Sequence, residues 1–385
     1  MPDEPLKIAL VQNVTLNDHR SVHSHSVACE LQERGYTVDL ILQKSDEDPQ
    51  FEYLPYNLIQ IPGGTYSIGG QITFMNALLT HLKREDYHII HAKNPFSSVF
   101  TPVVLRKMRF TKSRIVYDMR GLWVDFGVHA KQFSPAVGRI LDSIDLHLMQ
   151  WCDHVIAISS GLKQILTTRG IPEDKITVIE GSGVNISEIE KLPVEDVRAL
   201  LGIKGVIIGY VGTVSAQRQS EKLINAFQTI YHHCKNCYLV LVGPADEDIL
   251  QLISRSRHVI SLGFLPHRRA LSLLKSFDVA VAYHDRDVPF YNVAVPIKVF
   301  EYFAAGIPVV ATDHLMYKNV ITHKKTGFLT GKNPGLFAAG VMTVLNDVNL
   351  RRSLGEEGRK KVEDYSIKAL VNQLEGVYKK VLTSK

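Results

Sequence analysis

Lys298 and Glu301 lie three residues apart in Pro296–Gly306, where a helix is predicted. Pro296 can occupy the first helical position, where its missing N–H carries no penalty, and Gly306 is typical of a residue just beyond a helix end. The spacing places both charged side chains near one side of the first two turns. A helix N-terminus attracts phosphate, Lys298 would add positive charge, and Glu301 could accept hydrogen bonds from two ribose hydroxyls. A surface ion pair between the two explains the spacing equally well.

Two further pairs of polar residues follow directly after apolar runs that are typical of buried strands. Thr213 and Arg218 follow a run that ends at Gly212, and a guanidinium beside a hydroxyl could clamp a diphosphate there. Asp118 and Arg120 follow an earlier run, and their side chains could face a ligand. In both cases a plainer explanation stays open, namely a solvated loop arginine at 218 and a structural ion pair between Asp118 and Arg120.

The elements that must position these residues alternate along the chain between short apolar runs and helical patterns. The runs with strand character are Lys7–Val11, Thr37–Leu42, Tyr87–His91, Arg114–Tyr117, His154–Ile158, Ile176–Ile179, Val206–Val211, Cys237–Val242, His258–Leu262, Val279–Tyr283 and Ile307–Ala311. Helical periodicity is seen at Val22–Arg34, Ser160–Arg169, Pro193–Leu201, Glu221–His233 and Ala270–Phe277. This alternation predicts an α/β protein with parallel sheets covered by helices on both faces.

The pattern restarts near residue 205, which predicts two doubly wound, Rossmann-like domains joined near residue 190. A chain of 385 residues also exceeds the roughly 100–200 residues of one typical domain. Ligands of open parallel sheets bind beyond the carboxyl ends of the strands, so we expect the candidate residues at a cleft between the two domains. In the C-terminal segment 345–385, Gly355 and Gly358 are expected to break the first helix.

Composition narrows the class of protein and of partner. Hydrophobic residues make up 45% and charged residues 22% of the chain, as in an ordinary globular protein. Residues 1–190 carry 18 basic and 22 acidic side chains, whereas residues 191–385 carry 26 and 17. The basic second half favours an anionic ligand, and without a nucleic-acid-binding motif we expect no nucleic-acid partner.

The cysteines and the termini bear on location and on metals. Four cysteines argue for a reducing compartment, and neither a secretory signal nor an apolar run of the ~20 residues that cross a bilayer is evident. A cytoplasmic protein is therefore expected. Cys234 and Cys237 resemble half of a metal site, but no second pair completes it, so no metal is expected.

A basic segment could bring the protein to the inner face of a membrane. Five basic residues fall within nine positions between Arg106 and Arg114, interleaved with apolar residues of 103–110. Such a mixture could make a peripheral contact with an anionic membrane through 103–114. A solvated helix end is the plainer explanation.

Taken in order, the motifs resemble a large family of retaining glycosyltransferases, family four, with the GT-B fold. The similarity covers nearly the whole chain, and the segments that carry it are Ile156–Lys163, Val178–Asn185, Tyr210–Phe227, Leu239–Gly243, Ser261–Pro266, Leu274–Tyr283, Thr326–Leu329 and Leu350–Arg359. Thr213 stands where the family typically has an arginine, and Arg218 stands in its lysine position. Of the family's two glutamates eight residues apart, Glu301 matches the second, whereas Val293 occupies the place of the first.

Some branches of the family carry a Pro-x-Lys-x-x-Glu-Tyr form, which residues 296–302 match. The resemblance implies that Glu301 binds the ribose and that the helix start near Pro296, with Lys298, binds the diphosphate. Tyr291 and Asn292 are the neighbours that could replace the first glutamate. The resemblance further assigns Thr213 and Arg218 to the diphosphate and places Phe264 in the loop that binds the base.

The function implied is transfer of a sugar, with retention, from a nucleoside diphosphate donor to a glycan or lipid-linked acceptor, without a metal or other cofactor. A UDP-sugar is the preferred donor. Arg218 and Lys298 would stabilise the leaving diphosphate, and Asp118 and Arg120 would position the sugar or the acceptor. Tyr117 replaces the histidine that often precedes this aspartate.

The resemblance also implies a division of labour between domains. Residues 1–190 would bind the acceptor, residues 191–365 would bind the nucleotide-sugar, and a final helix, 366–385, could pack back on the first domain. Two alternatives stay open on the same fold, namely a nucleotide-sugar epimerase or hydrolase, and a non-catalytic nucleotide-sugar-binding protein.

Overall fold

The computed structural model describes residues 5–18, 20–46, 51, 53–65, 67–181, 183–286, 292, 293 and 295–384. They form two compact units, residues 1–183 with 367–385 and residues 184–366. Each unit is a parallel sheet covered by helices, so the predicted α/β class with two doubly wound domains is confirmed. The second unit begins at Val184 rather than at residue 191.

The first unit contains a seven-stranded sheet. Its strands are β1 (Lys7–Thr15), β2 (Thr37–Gln43), β3 (Asn57–Ile61), β4 (Ile89–Lys93), β5 (Arg114–Met119), β6 (His154–Ala157) and β7 (Ile176–Val178). Its helices in the same span are α1 (Ser21–Glu33), α2 (Ile68–Leu82), α3 (Ser97–Lys107), α4 (Trp123–His129), α5 (Pro135–Trp151) and α6 (Ser160–Thr168). The strand order is β3-β2-β1-β4-β5-β6-β7, so the direction of winding reverses between β1 and β4.

The second unit contains a six-stranded sheet with the order β10-β9-β8-β11-β12-β13. Its strands are β8 (Val206–Val211), β9 (Cys237–Val242), β10 (Val259–Ser261), β11 (Val279–Ala282), β12 (Val309–Thr312) and β13 (Phe328–Thr330). Its helices are α7 (Ile186–Lys191), α8 (Val197–Leu201), α9 (Ser220–His233), α10 (Glu247–Ser254), α11 (His267–Leu274), α12 (Ile297–Ala304), α13 (Leu315–Lys318), α14 (Pro334–Asn346) and α15 (Val348–Lys361). Winding reverses between β8 and β11. Both reversals create the crevice where doubly wound sheets bind ligands.

The last helix, α16 (Ile367–Thr383), belongs to the first unit, as the contact-based division shows. Its apolar face, which includes Leu370, Leu374 and Tyr378, is buried in the core with residues of β1, β4 and α1. The Tyr378 hydroxyl lies 2.7 Å from His91 Nδ1. This packing completes one face of the sheet with a segment distant in sequence.

Two local predictions are wrong for identifiable reasons. Residues 193–196 are not helical, because α8 starts only after Asp196, whose side chain caps the helix by accepting from the Arg198 N–H. Gly355 and Gly358 do not break α15, which runs through both. A Cβ atom at Gly355 would lie 2.3 Å from the Gly306 carbonyl oxygen, so the missing side chain permits close packing of α15.

Asp145 fixes the segment that carries Asp118 and Arg120. Its carboxylate is buried on α5, where it accepts hydrogen bonds from the Tyr117 hydroxyl (2.7 Å) and from Trp123 Nε1 (2.9 Å). Burial raises the pKa of Asp145 to about 6, although both hydrogen bonds favour the ionised form. The carboxylate thereby links the end of β5 and the start of α4 to α5.

Replacing Asp145 with alanine is expected to lower the free energy of unfolding by about 2–4 kcal/mol. The substitution leaves the buried Tyr117 and Trp123 donors without an acceptor, and each unsatisfied buried group costs about 1–3 kcal/mol. Urea unfolding followed by tryptophan fluorescence measures the loss. The control is Asp142→Ala, also on α5, which removes a half-exposed ion pair with Arg169. We expect this substitution to cost less than about 1 kcal/mol. Equal losses in both variants would contradict this role for Asp145.

Candidate functional site

Two cations converge just beyond the carboxyl end of β8 in the second unit. Lys298, in the first turn of α12, lays its ammonium 3.6 Å from the centre of the Tyr210 ring and against Gly212. Gly212 has a backbone φ of +133°, which favours glycine, and a Cβ atom there would also lie 2.8 Å from Lys298 Nζ. Burial and the nearby Arg218 guanidinium lower the pKa of Lys298 well below its usual value.

Arg218 itself lies exposed on the loop between β8 and α9. Its backbone N–H is held by Ser215, through the carbonyl at 3.1 Å and the hydroxyl at 3.2 Å. The loop then turns through Gln219, whose backbone is left-handed (φ 59°). The Arg218 guanidinium is near enough to disfavour the charged form of Lys298, and an anion placed beside both would relieve that repulsion.

Glu301 lies one turn further along α12 and is only 4% exposed. Its Oε1 accepts a hydrogen bond of 2.7 Å from His267 Nε2, at the start of α11. Although burial opposes protonation of His267, the Glu301 carboxylate outweighs it and raises the pKa of the imidazole. Within the described part of the chain Glu301 therefore pairs with His267, and the surface ion pair between Lys298 and Glu301 is not observed.

The other residues predicted to bind the donor differ in their exposure and in their hydrogen bonds. Pro296 is the residue before the first turn of α12 rather than within it. Thr213 is exposed, and its carbonyl accepts a hydrogen bond of 3.0 Å from the Tyr210 hydroxyl. Phe264 is 65% exposed after β10. Asn292 Oδ1 is buried and has no hydrogen-bond partner among the described residues.

Tyr291, the other predicted substitute for the missing glutamate, lies outside the described residues. Val293 occupies the place of that glutamate and is buried, with 1% of its surface exposed.

Asp118 lies near the end of β5 in the first unit and Arg120 directly follows the strand, and their side chains lie 3.7 Å apart. Arg120 also donates to the Gly181 carbonyl at 2.8 Å. Burial opposes ionisation of Asp118, but Arg120 and His91 outweigh it and hold its pKa at about 2. Asp118 Oδ1 is buried and, apart from the ion pair with Arg120, has no hydrogen-bond partner among the described residues.

Sequence reasoning missed a buried cation beside this carboxylate. Lys93 ends β4, next to the winding reversal, and its Nζ lies 2.5 Å from His23 Nδ1 and 2.9 Å from Ser24 Oγ. Burial lowers the pKa of Lys93 to about 7, against the attraction of Asp118. The strand-end rule that selected Asp118 applies equally to Lys93, and would have found it had β4 been extended past His91.

Tyr117 has a different role from its neighbour. Because successive side chains of a strand point to opposite faces, Tyr117 is directed to Asp145 while Asp118 meets His91 and Arg120. The candidate residues therefore form two groups, one at the winding reversal of each unit.

The pair Cys234 and Cys237 lies outside both groups of candidate residues. Cys234 and Cys237 form a disulfide where α9 ends and β9 begins, which differs from the free thiols expected in a reducing compartment. In the described ranges, no cluster of three or more metal-ligating side chains occurs. Nor does any helix among them combine the length and apolar character needed to traverse a bilayer.

Comparison with known proteins assigns the family. Residues 21–187 match the family described as Glycosyltransferase Family 4, and residues 196–361 match Glycosyl transferases group 1. The capsular polysaccharide biosynthesis glycosyltransferase CapM of Staphylococcus aureus is 26% identical over 278 residues, 68% of this chain and 69% of CapM. The putative glycosyltransferase EpsD of Bacillus subtilis is 23% identical over 76% of each chain.

Solved structures show the same fold. Sucrose-phosphate synthase from Thermosynechococcus elongatus has a TM-score of 0.78 at 20% identity, covering 99% of this chain and 100% of that one. HepE of Anabaena, solved in complex with UDP and glucose, has a TM-score of 0.76 at 17% identity, covering 97% and 100%. The chain therefore belongs to the family four, or group 1, glycosyltransferases with the GT-B fold.

Proposed function

We propose that this glycosyltransferase moves a sugar from a nucleoside diphosphate donor, preferably a UDP-sugar, to a glycan or lipid-linked acceptor, with retention at the anomeric carbon. The observation that carries the donor assignment is the convergence of Lys298 and Arg218 beyond β8, with Glu301 buried one turn behind them. The complex of HepE with UDP and the role of CapM in capsular polysaccharide biosynthesis support the donor and acceptor classes by analogy.

The charges at this end of the sheet suit departure of a diphosphate. As the glycosidic bond breaks, negative charge gathers on the leaving group while the sugar becomes cationic. Lys298 and the N-terminal N–H groups of α12 are held in place before the reaction, and a bound diphosphate would itself favour the charged form of Lys298. Together with Arg218 they would stabilise the developing charge. These two side chains supply the positive charge that a metal ion would otherwise provide.

Glu301 would orient the nucleoside. His267 occupies its Oε1, which leaves Oε2 to accept from the ribose hydroxyls. Holding the carboxylate in one orientation through His267 reduces the entropy lost when the donor binds. In the first unit, Asp118 would accept from a sugar hydroxyl and Arg120 would keep that carboxylate ionised.

A panel of nucleoside diphosphates and nucleotide sugars is expected to raise the melting temperature of the purified chain, with uridine compounds giving the largest shift. A ligand at 100 times its dissociation constant adds about 2.7 kcal/mol of stability. Glu301→Ala and Arg218→Ala should abolish the shift, whereas Arg269→Ala, which removes an exposed arginine paired with Glu195 in the same unit, should retain it. If no nucleotide shifted the wild-type protein, the proposed donor class would be wrong.

Retention is tested on the product. Incubation with the donor and acceptor should give a glycoside whose anomeric configuration, read from proton coupling constants by NMR, equals that of the donor. An inverted anomer would refute retention. Conversion of the donor in the absence of any acceptor would instead support the epimerase or hydrolase alternative.

Asp118→Asn should lower kcat by about 10²–10³, the usual cost of removing one preorganised polar group, while the donor-induced thermal shift persists because the donor groups lie in the second unit. Tyr117→Phe is the matched control, since its hydroxyl meets Asp145 rather than Asp118. We expect that variant to keep kcat within about threefold at a temperature where it remains folded. A similar fall in both variants would assign Asp118 a structural role only.

A further inference from the structure

Exposed apolar side chains of the first unit are concentrated on one layer of helices. Among its described residues nine large apolar side chains are exposed, and eight of them lie on α2, α3, α5 or the loop after α3. Helix α3 packs against both α2 and α5, so these side chains share one region of the surface. Clustering of this kind marks an interaction surface.

Helix α5 contributes a continuous stripe to this region. Val137, Ile140, Ile144 and Trp151 follow one another at spacings of three, four and seven residues, which places them along one side of the helix. Ile140 is 62% and Trp151 46% exposed. An open surface cavity of about 480 Å³ lies on the same helix, and Ile140 and Ile144 are among the residues that line it. From Val137 to Trp151 this stripe extends over about 21 Å of α5.

Cations border the apolar side chains. Lys107 Nζ lies 5.3 Å from the centre of the Trp151 ring, and Lys83 Nζ lies 5.8 Å from that of Phe110. Arg109 and Lys112 flank Phe110 in the loop after α3. Aromatic rings beside lysines and arginines with apolar stems are typical of the boundary between lipid headgroups and acyl chains.

The structure corrects the surface that the sequence indicates at 103–114. Val103 and Leu105 are core residues, and Arg106 and Arg114 both pair with Asp153 at 3.0 Å. The contact surface therefore consists of the loop 108–112, the end of α3 and the stripe on α5. Lys107, Arg109 and Lys112 form no ion pair with a described residue, so their charges are available.

We propose that this surface, centred on Phe110 and Trp151, binds an anionic lipid bilayer. Charge complementarity selects this occupant, because Lys107, Arg109 and Lys112 are exposed and no carboxylate occurs from residue 87 to residue 117. The proposal deepens the proposed function and rests on it in one respect, since a lipid-linked acceptor would be presented at the surface to which the enzyme attaches.

Flotation of the full chain with unilamellar vesicles tests the surface. Vesicles of phosphatidylglycerol and phosphatidylcholine in equal parts should bind the protein, and vesicles of phosphatidylcholine alone should bind it at least tenfold less. The triple variant Lys107→Gln, Arg109→Gln, Lys112→Gln should lower partition to the anionic vesicles by about a hundredfold. The double variant Phe110→Ser, Trp151→Ser tests the apolar contribution and should lower it about tenfold or more.

The matched control removes three exposed charges from the second unit, through Lys204→Gln, Arg255→Gln and Arg257→Gln, and should leave partition unchanged. Donor-induced thermal shifts, measured on every variant, report folding and donor binding separately. If wild-type protein shows the shift but ignores anionic vesicles, the membrane surface is refuted while the donor assignment stands. Equal effects of the test and control triple variants would also overturn the proposal. So would a wild-type dimer that binds no vesicles and that the Phe110 and Trp151 substitutions dissociate.

Discussion

Two like charges held close together beyond the end of β8 are the constraint on which the rest of the second unit depends. Arg218 and Lys298 repel each other, and burial adds to the cost of keeping Lys298 protonated. The Tyr210 ring beneath the ammonium offsets part of that cost. Glycine is favoured at position 212 because the backbone φ there is +133°, and a Cβ atom would crowd the ammonium. The arrangement is therefore least favourable when empty and most favourable when an anion is bound.

The parallel sheets explain why such charges can be placed at all. At the carboxyl end of a parallel strand the chain leaves the sheet, and where winding reverses, the two following loops separate and leave a crevice. Lys93 and Asp118 in the first unit follow the same logic as Lys298 and Arg218 in the second. In each case the apolar strand behind provides the rigid base, and the polar residue comes where the strand ends or the next helix begins.

The features of the fold and of the site that the sequence could predict are those encoded by residues close together in the chain. Strands β8 and β9 were predicted to the residue, because they are uninterrupted apolar runs. Lys93 was missed because a buried lysine breaks the apolar pattern that marks a strand, although the strand continues through it. The pairing of His267 with Glu301 joins residues 34 apart in sequence, and no local pattern encodes it. Gly355 was misjudged because its role in close packing depends on Gly306, which lies in the loop between α12 and β12.

The two departures from the family pattern are linked through charge. Thr213 removes a cation that the resemblance leads one to expect, and Val293 removes a carboxylate, so the two changes cancel in the net charge around the donor. Val293 is buried, where an unpaired carboxylate would be costly. Thr213 is exposed, so a cation at that position would be solvated, and the penalty for an unpaired charge falls on position 293. With both absent, Lys298 and Arg218 are the cations beyond β8, and Glu301 is bonded to His267.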